Sequence, residues 1–161
     1  MNIVKVNRGN VGIFSRVLIE ASEWLNSKGL SMWKANDVSV QALLEKYSME
    51  EMRLCYDDSN LIGVYVIQCY DPLFWSELRK NESGYLHKLA VCREYCGKGF
   101  GRKLIYSAEQ LCRERGIESL RLNCGTFRPR LRNFYEGAGF KMLDRVFIDN
   151  RDQIRYIKKL V

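Results

Sequence analysis

Apolar residues recur along the chain with two periods, one typical of helices and one typical of strands. The helical period runs through residues 10–28, where it is carried by Phe14, Val17, Leu18, Ala21, Trp24 and Leu25. The segment VSVQALLEKYS predicts a second helix, with Asp37 or Ser39 as its N-cap. Two further helices are predicted over residues 101–115 and over PRLRNFYEGAG.

Seven short runs rich in β-branched and aromatic residues predict strands around these helices. They are NIVKVN, the two arms of EMRLCYDDSNLIGVYVIQCY around a turn at Asp57–Asn60, SGYLHKLAV, SLRLNCG, FKMLDRVFID and QIRYIKKL, the last two forming a hairpin. The order β-α-α-β-β-β-α-β-α-β-β predicts one α/β (α+β) domain over residues 1–161. Its sheet is expected to be mixed and mostly antiparallel, with about seven strands flanked by about four helices. The strand–helix–strand unit over residues 84–124 should be parallel and right-handed.

The composition is that of a globular protein, with 47% hydrophobic and 28% charged residues among 161. No apolar run approaches the ~20 residues that a membrane-spanning helix needs. The first residues, MNIVKVNRGNVG, lack the apolar core of a signal peptide. We therefore expect a cytoplasmic protein with no membrane partner.

The cysteines are interpreted as free thiols, because a chain without secretion signals resides in a reducing compartment. No CxxC motif occurs and the chain has one histidine, so no metal site is expected. The six cysteines are Cys55, Cys69, Cys92, Cys96, Cys112 and Cys124.

The formal net charge is +7, with basic residues spread along the chain as on a solvated surface. A local excess from Arg93 to Arg132 surrounds one glycine-rich turn, and a small polyanion would explain it as well as DNA would. The chain shows neither a basic helix with base-reading residues nor an aromatic stacking sheet. No nucleic-acid partner is therefore predicted.

The glycine-rich turn, CREYCGKGFGRKL, lies between a predicted strand and a predicted helix. Glycines allow close approach of the backbone to a ligand, and the N–H groups at a helix N-terminus attract anions. Lys98, Arg102 and Lys103 oppose the helix dipole there, and a bound polyanion would offset that cost. The turn predicts a phosphate site; a glycine turn without function is the alternative.

Two common phosphate motifs do not fit this turn. It has no GxxxxGK[ST] match, which excludes a nucleotide P-loop. Gly97 and Gly99 are followed by Arg102 where a dinucleotide fingerprint requires its third glycine, and no acidic residue ends the next strand to hold a ribose.

The segment LHKLAVCREYCGKGFGRKLIYSAEQLCRERG resembles the acetyl-coenzyme A signature of the GNAT N-acetyltransferases, [QR]xxGx[GA] between a strand and a helix. Gly99 and Gly101 supply its two small residues, whereas Cys96 replaces the glutamine or arginine.

Downstream, RPRLRNFYEGAGF resembles that family's NxxAxxxYxxxGF segment, with Tyr135, Gly139 and Phe140 in register. Arg128 stands where the family often has asparagine, and Leu131 where it often has alanine. The predicted order of elements is also similar to the fold of that family.

The resemblance implies an acyltransferase with acetyl-CoA as co-substrate, in which an amine attacks the thioester directly. Backbone amides from Cys96 to Arg102 would hold the diphosphate, and residues 89–91 would pair with the pantetheine arm. A backbone N–H near Val91 would stabilise the developing oxyanion. The implied cofactor-binding residues are Leu89, Ala90, Val91, Cys96, Gly97, Lys98, Gly99, Phe100, Gly101, Arg102, Arg128, Leu131, Phe134 and Tyr135.

Two catalytic residues are proposed, Tyr135 with the support of the resemblance and His87 from its residue type and position. Tyr135 is a candidate acid for the leaving thiolate, because a phenol donates a hydrogen bond at neutral pH; a core tyrosine beside Phe134 is the alternative. His87 is a candidate base and, in strict alternation, shares one strand face with Leu89 and Val91. A histidine packed in the sheet is the alternative there, and Glu82 and Asp71 are weaker candidate bases.

The acceptor is predicted to be a small-molecule amine, since no dense acidic patch indicates a polycationic acceptor. Trp33 and Trp75 lie in irregular stretches and are predicted to line the acceptor pocket. A non-catalytic acyl-CoA-binding or sensor domain is the alternative function. Many members of the family form dimers, which leaves a homodimer open for this chain.

Overall fold

The structure, a computed structural model, describes residues 1–160 and divides the chain into two compact units. The first unit comprises residues 1–67 and 88–104. The second comprises residues 68–87 and the chain from Ile105 onward. No helix among the described residues is long and apolar enough to cross a membrane.

Residues 1–160 form seven strands and four α-helices in the predicted order, which confirms the predicted fold class. They are β1 (Asn2–Lys5), α1 (Val11–Ser27), α2 (Val40–Lys46), β2 (Met52–Asp57), β3 (Asn60–Gln68), β4 (Gly84–Val91), α3 (Phe100–Glu114), β5 (Ser119–Gly125), α4 (Pro129–Gly137), β6 (Lys141–Ile148) and β7 (Arg151–Lys159). One-turn 3-10 helices occur at Ala35–Val38, Met49–Glu51 and Arg93–Tyr95.

The N-cap of α2 is Ser39, whose hydroxyl accepts a hydrogen bond from the Ala42 N–H at 3.2 Å. Asp37, the other candidate, is instead the third residue of the preceding 3-10 helix, and its carboxylate accepts a hydrogen bond from the N–H of that helix's N-cap residue, Lys34, at 3.0 Å. Both side chains therefore cap a helix, and the tertiary structure assigns each to a different one.

The strands are hydrogen-bonded in the order β1-β2-β3-β4-β5-β7-β6. β4 and β5 are parallel, which confirms their predicted parallel pairing, whereas β1–β2, β2–β3, β5–β7 and β6–β7 are antiparallel. The predicted β6–β7 hairpin is present, but its second strand, β7, is the one that pairs with β5. That order was not predicted from the sequence.

The core of the first unit lies where α1 and α2 meet the strands of that unit. Its fully buried side chains follow the predicted periods and include Phe14, Leu18, Leu43, Leu54, Val64 and Val66. Burying each such side chain contributes roughly 1.5–3 kcal/mol. At Gly63 of β3 an added Cβ would lie 2.4 Å from the carbonyl oxygen of Ala90, so only glycine permits this close approach to β4.

The second unit contains a buried aromatic cluster of Phe74, Trp75 and Tyr85. The Arg155 guanidinium lies at the edge of this cluster. It donates hydrogen bonds of 2.7 Å to the Asp144 carboxylate, to the Glu77 carboxylate and to the Phe74 carbonyl. Arg155 also lies 4.6 Å above the Trp75 ring. The charge of Arg155 is thus compensated by two carboxylates where the side chain is largely removed from water.

All six cysteines are free thiols, as predicted. Burial raises the pKa of Cys55 and of Cys112 to about 12, so these thiols stay protonated and unreactive at neutral pH. Cys96, in the glycine turn, is exposed.

Candidate functional site

The glycine turn connects the end of β4 to the start of α3 and contains two glycines in the left-handed region. Gly97 has φ +77° and Gly99 has φ +82°, a conformation that other residues adopt only at a cost. An added Cβ would meet nothing within 4 Å at either position. The glycines are therefore required by the backbone path, and the space before that backbone is open to a ligand.

The charge around this turn is positive. The first turn of α3 contains no acidic residue. Lys98 and Lys103 lie over the rings of Tyr95 and Phe100, at 5.6 Å and 4.7 Å from the ring centroids, and Arg102 is exposed beside them. Because the helix N-terminus adds its own partial positive charge, the turn is suited to an anion.

Cys96 occupies the one position of the turn that departs from the expected motif. Its Sγ lies 3.6 Å from the carbonyl oxygens of both Val91 and Cys92, within reach of a weak S–H hydrogen bond. The side chain therefore links the turn to the end of β4.

β4 is irregular at Lys88, which has φ +51° in the middle of the strand. The strict alternation predicted for His87, Leu89 and Val91 is therefore wrong, because a left-handed residue interrupts the two-residue repeat. β4 pairs with β5 only at its beginning, through Gly84 and Tyr85. Lysine has no preference for this conformation, so the sequence contained no signal for it.

His87 lies beside a buried carboxylate. Its Nε2 is 3.5 Å from Oδ2 of Asp71, and the two side chains are 18% and 8% exposed. The other Asp71 oxygen, Oδ1, accepts from the Phe74 N–H at 3.3 Å, which orients the carboxylate. The Asp71 carboxylate is therefore close enough to orient the imidazole ring. Sequence reasoning considered both residues but did not pair them.

The two tryptophans predicted at the acceptor pocket have different environments. Trp75 is 1% exposed, with its ring 4.9 Å from the Arg121 guanidinium and 6.0 Å from the Tyr85 ring. Its indole N–H has no hydrogen-bond partner among residues 1–160. Trp33 is half-buried in the connection between α1 and α2. A role of either residue in acceptor binding stays a prediction.

Tyr135 is 9% exposed on α4 and packs among aromatic rings. The centroids of Phe134, Phe140 and Tyr156 lie 5.3, 5.9 and 6.5 Å from its own. Burial raises the pKa of the Tyr135 phenol well above its ordinary value, and Cys124 adds to the shift. The hydroxyl consequently stays protonated, and can donate a hydrogen bond, throughout the neutral pH range.

A polar network that the sequence did not reveal holds α4 in place. The Tyr156 hydroxyl donates to Glu136 at 2.7 Å and accepts from Arg132 at 3.0 Å. The Lys158 ammonium donates to the Ala138 carbonyl at 2.8 Å and to the buried Glu109 carboxylate at 2.5 Å. The helix that carries Tyr135 is thus fixed on β7 and α3.

Three further predicted cofactor-binding residues lie at the N-terminus of α4 and along this helix. Arg128 is its N-cap residue, and its side chain covers Gly125, where an added Cβ would come within 3.1 Å of the arginine Cγ. Leu131 and Phe134 are half-buried on the same helix. Among the described residues, no group of three or more His, Cys, Asp or Glu side chains could hold a metal ion.

Comparison with known proteins relates this arrangement to one family. Residues 18–140 match the family described as Acetyltransferase (GNAT) family. The uncharacterized N-acetyltransferase YesJ of Bacillus subtilis (strain 168) is 26% identical over 136 residues, which cover 79% of this chain and 74% of that protein.

Two solved structures are similar in fold. A GNAT-family acetyltransferase from Listeria monocytogenes 4b F2365 has a TM-score of 0.78 and 20% identity, over 98% of this chain and 94% of that one. The PaiA N-acetyltransferase from Thermoplasma acidophilum, in complex with coenzyme A, has a TM-score of 0.72 and 21% identity, over 98% of both chains.

Proposed function

Because the chain belongs to the acetyltransferase (GNAT) family, whose members transfer acetyl groups from acetyl-CoA, we propose that it acetylates the primary amine of a small molecule. The proposal assigns residues 1–161 to one N-acetyltransferase domain. The acetyl-CoA thioester supplies the activated acetyl group, and the amine attacks its carbonyl carbon directly.

The glycine turn is the observation that carries the proposal. Left-handed Gly97 and Gly99, the open space before them and a first turn of α3 without acidic residues fit the diphosphate of coenzyme A. Backbone amides from Cys96 to Arg102 would hold that diphosphate, with the nearby cations balancing its charge. Residues 89–91 of β4 would hold the pantetheine arm, and a backbone N–H near Val91 would stabilise the oxyanion.

Two side chains are assigned to proton transfer, His87 and Tyr135. An amine of pKa ~10 is mostly protonated at pH 7, so His87, supported by Asp71, would take a proton from the acceptor. The attack forms a C–N bond and breaks the C–S bond, and the leaving thiolate needs a proton or a hydrogen bond. Tyr135, kept neutral by burial, would donate it.

A non-catalytic acyl-CoA sensor is the alternative, and thiol release separates the two. With acetyl-CoA and a panel of primary amines, we expect saturable release of coenzyme A thiol, matched by acetylated amine detected by mass spectrometry. Binding of acetyl-CoA without release for any amine would favour the sensor. Absence of binding would contradict both functions.

Replacing His87 by glutamine is expected to lower kcat/KM about tenfold near pH 7. The loss should shrink towards pH 9, because more of the acceptor then exists as the free amine and needs no base. Asp71→Asn should give the same pH-dependent loss, and the double variant should be no worse than His87→Gln, since Asp71 acts through His87.

The measurement is the pH profile of kcat/KM, with acetyl-CoA affinity and thermal unfolding recorded for each variant. A loss of equal size at every pH would assign His87 to packing instead of proton transfer.

A further inference from the structure

β6 is the outer strand of the sheet beside β7, and both strands belong to the second compact unit. No strand among residues 1–160 pairs with its outer edge. The register with β7 shifts between Met142 and Asp144, and from Asp144 to Ile148 the pairing is regular. This regular stretch contains no proline. Every second residue of it therefore directs its backbone N–H and C=O groups outward, where another strand can pair with them.

One face of β6 exposes apolar side chains beside this edge. Met142, Arg145 and Phe147 share that face, because their partners on β7 alternate regularly from residue 152 to residue 156. Phe147 is 71% exposed and Met142 is 51% exposed. Phe127, in the connection between β5 and α4, is 78% exposed, and the Arg145 guanidinium lies 5.5 Å from the centroid of its ring. We call these four residues the β6 patch.

The size of the β6 patch is typical of a contact surface. A phenylalanine side chain can bury ~150–250 Å², so the rings of Phe127 and Phe147 together expose roughly 200–350 Å². With Met142 added, the exposed apolar area is about half of the ~800 Å² that each partner contributes to a standard-size protein interface. Contiguous apolar patches of this size are often functional.

The charge of the β6 patch favours a second copy of the chain over an anionic partner. Arg145 donates hydrogen bonds to both carboxylate oxygens of Asp152, at 2.8 and 2.5 Å, so the cation within the patch is already compensated. On the other face of β6, Asp144 is paired with Arg155 in the same way, at 2.7 Å. Because the chain carries a net charge of +7, two copies repel each other elsewhere, and a neutral apolar surface is where they can meet.

We propose that two copies of this chain form a dimer through β6, with the two edges paired antiparallel and each β6 patch packed against the other. A twofold axis relates antiparallel strands, so the same residues serve in both copies and the contact closes on itself. The pairing satisfies the outer backbone groups of both edges and removes the rings of Phe127 and Phe147 from water. The inference concerns assembly and does not depend on the acetyl transfer proposed above.

Sedimentation velocity of the full chain from about 1 to about 200 µM measures the dissociation constant of the dimer. The variants are Phe147→Lys and Phe127→Lys, each of which places a cation in both copies of the β6 patch. Tyr106→Lys is the matched control, because Tyr106 is 60% exposed on α3 in the same unit. We expect the unmodified protein to reach the dimer mass. Each patch variant should raise the dissociation constant at least about 30-fold, and the control should change it less than about twofold.

Hydrogen–deuterium exchange tests whether the β6 edge itself is paired. In the unmodified protein the amides of residues 144–148 should exchange more slowly at the highest protein concentration than at the lowest. In Phe147→Lys their exchange should not depend on concentration.

A monomer at every concentration would overturn the inference. So would a dimer whose dissociation constant neither patch substitution changes, or a dimer without slower exchange in residues 144–148. Sedimentation of a monomer with phosphatidylglycerol vesicles, lost in Phe147→Lys, would assign the patch to a lipid surface instead. Because both replaced side chains are exposed, we expect each variant to keep the melting temperature of the unmodified protein, and either variant alone suffices for the test.

Discussion

Gly99→Asp is expected to raise the dissociation constant for acetyl-CoA by at least about 100-fold. The substitution places a carboxylate where the diphosphate would lie, and two like charges ~5 Å apart repel by about 3 kcal/mol at an effective dielectric constant near 20. The open space around Gly99 means that the new side chain does not clash with the protein. The measurement is calorimetric titration with acetyl-CoA.

Gly116→Asp is the matched control for this variant. Gly116 has φ +70° and no atom within 4 Å of an added Cβ, so the same substitution imposes a similar backbone strain away from the glycine turn. We expect Gly116→Asp to lower the melting temperature and to bind acetyl-CoA normally. If folded Gly99→Asp binds acetyl-CoA as tightly as the unmodified protein, the assignment of the diphosphate site is wrong, and so is the proposed function.

Tyr135→Phe is expected to lower kcat by roughly 100-fold while acetyl-CoA affinity changes less than about threefold. The substitution removes only the hydroxyl and keeps the ring that packs against Phe134 and Phe140. Because burial raises the pKa of Tyr135, activity should show no decline from its ionisation up to about pH 9. Steady-state kinetics from pH 6 to 9, with binding measured separately, test both statements.

Tyr156→Phe serves as the control for the loss of a neighbouring hydroxyl. The Tyr156 hydroxyl bonds Arg132 and Glu136, so its removal should lower stability by about 1 kcal/mol and leave kcat within about twofold. Equal losses of kcat in the two variants would indicate that both act through the position of α4. Unchanged turnover in Tyr135→Phe would assign Tyr135 to the aromatic core alone.

Most elements of the fold could be predicted because their signals are local. The apolar period of residues 10–28 and the alternation of SLRLNCG each reflect one buried face, and both elements formed where the pattern placed them. The division into two compact units was not visible, since no linker or change of composition separates them. The insertion of β7 between β5 and β6 was also missed, because pairing depends on residues distant in sequence.

The glycine turn was the part of the candidate site most accessible from sequence. Glycine is the residue that adopts a positive φ at little cost. The positions of the glycines between a strand and a helix therefore indicate where the backbone takes this conformation. Lys88 shows the opposite case: it adopts φ +51° although nothing in its chemistry favours it. Only the surrounding sheet can impose such a conformation.

The sequence by itself determined the order of the elements, the glycine turn and the positive charge around it, because each depends on neighbouring residues. Only the tertiary structure places Asp71 beside His87 and the Lys88 ammonium over the Trp33 ring. It also buries Tyr135 among aromatic rings. These contacts join side chains from separate elements. Their free energy is gained only when the whole chain has folded, so no local pattern encodes them.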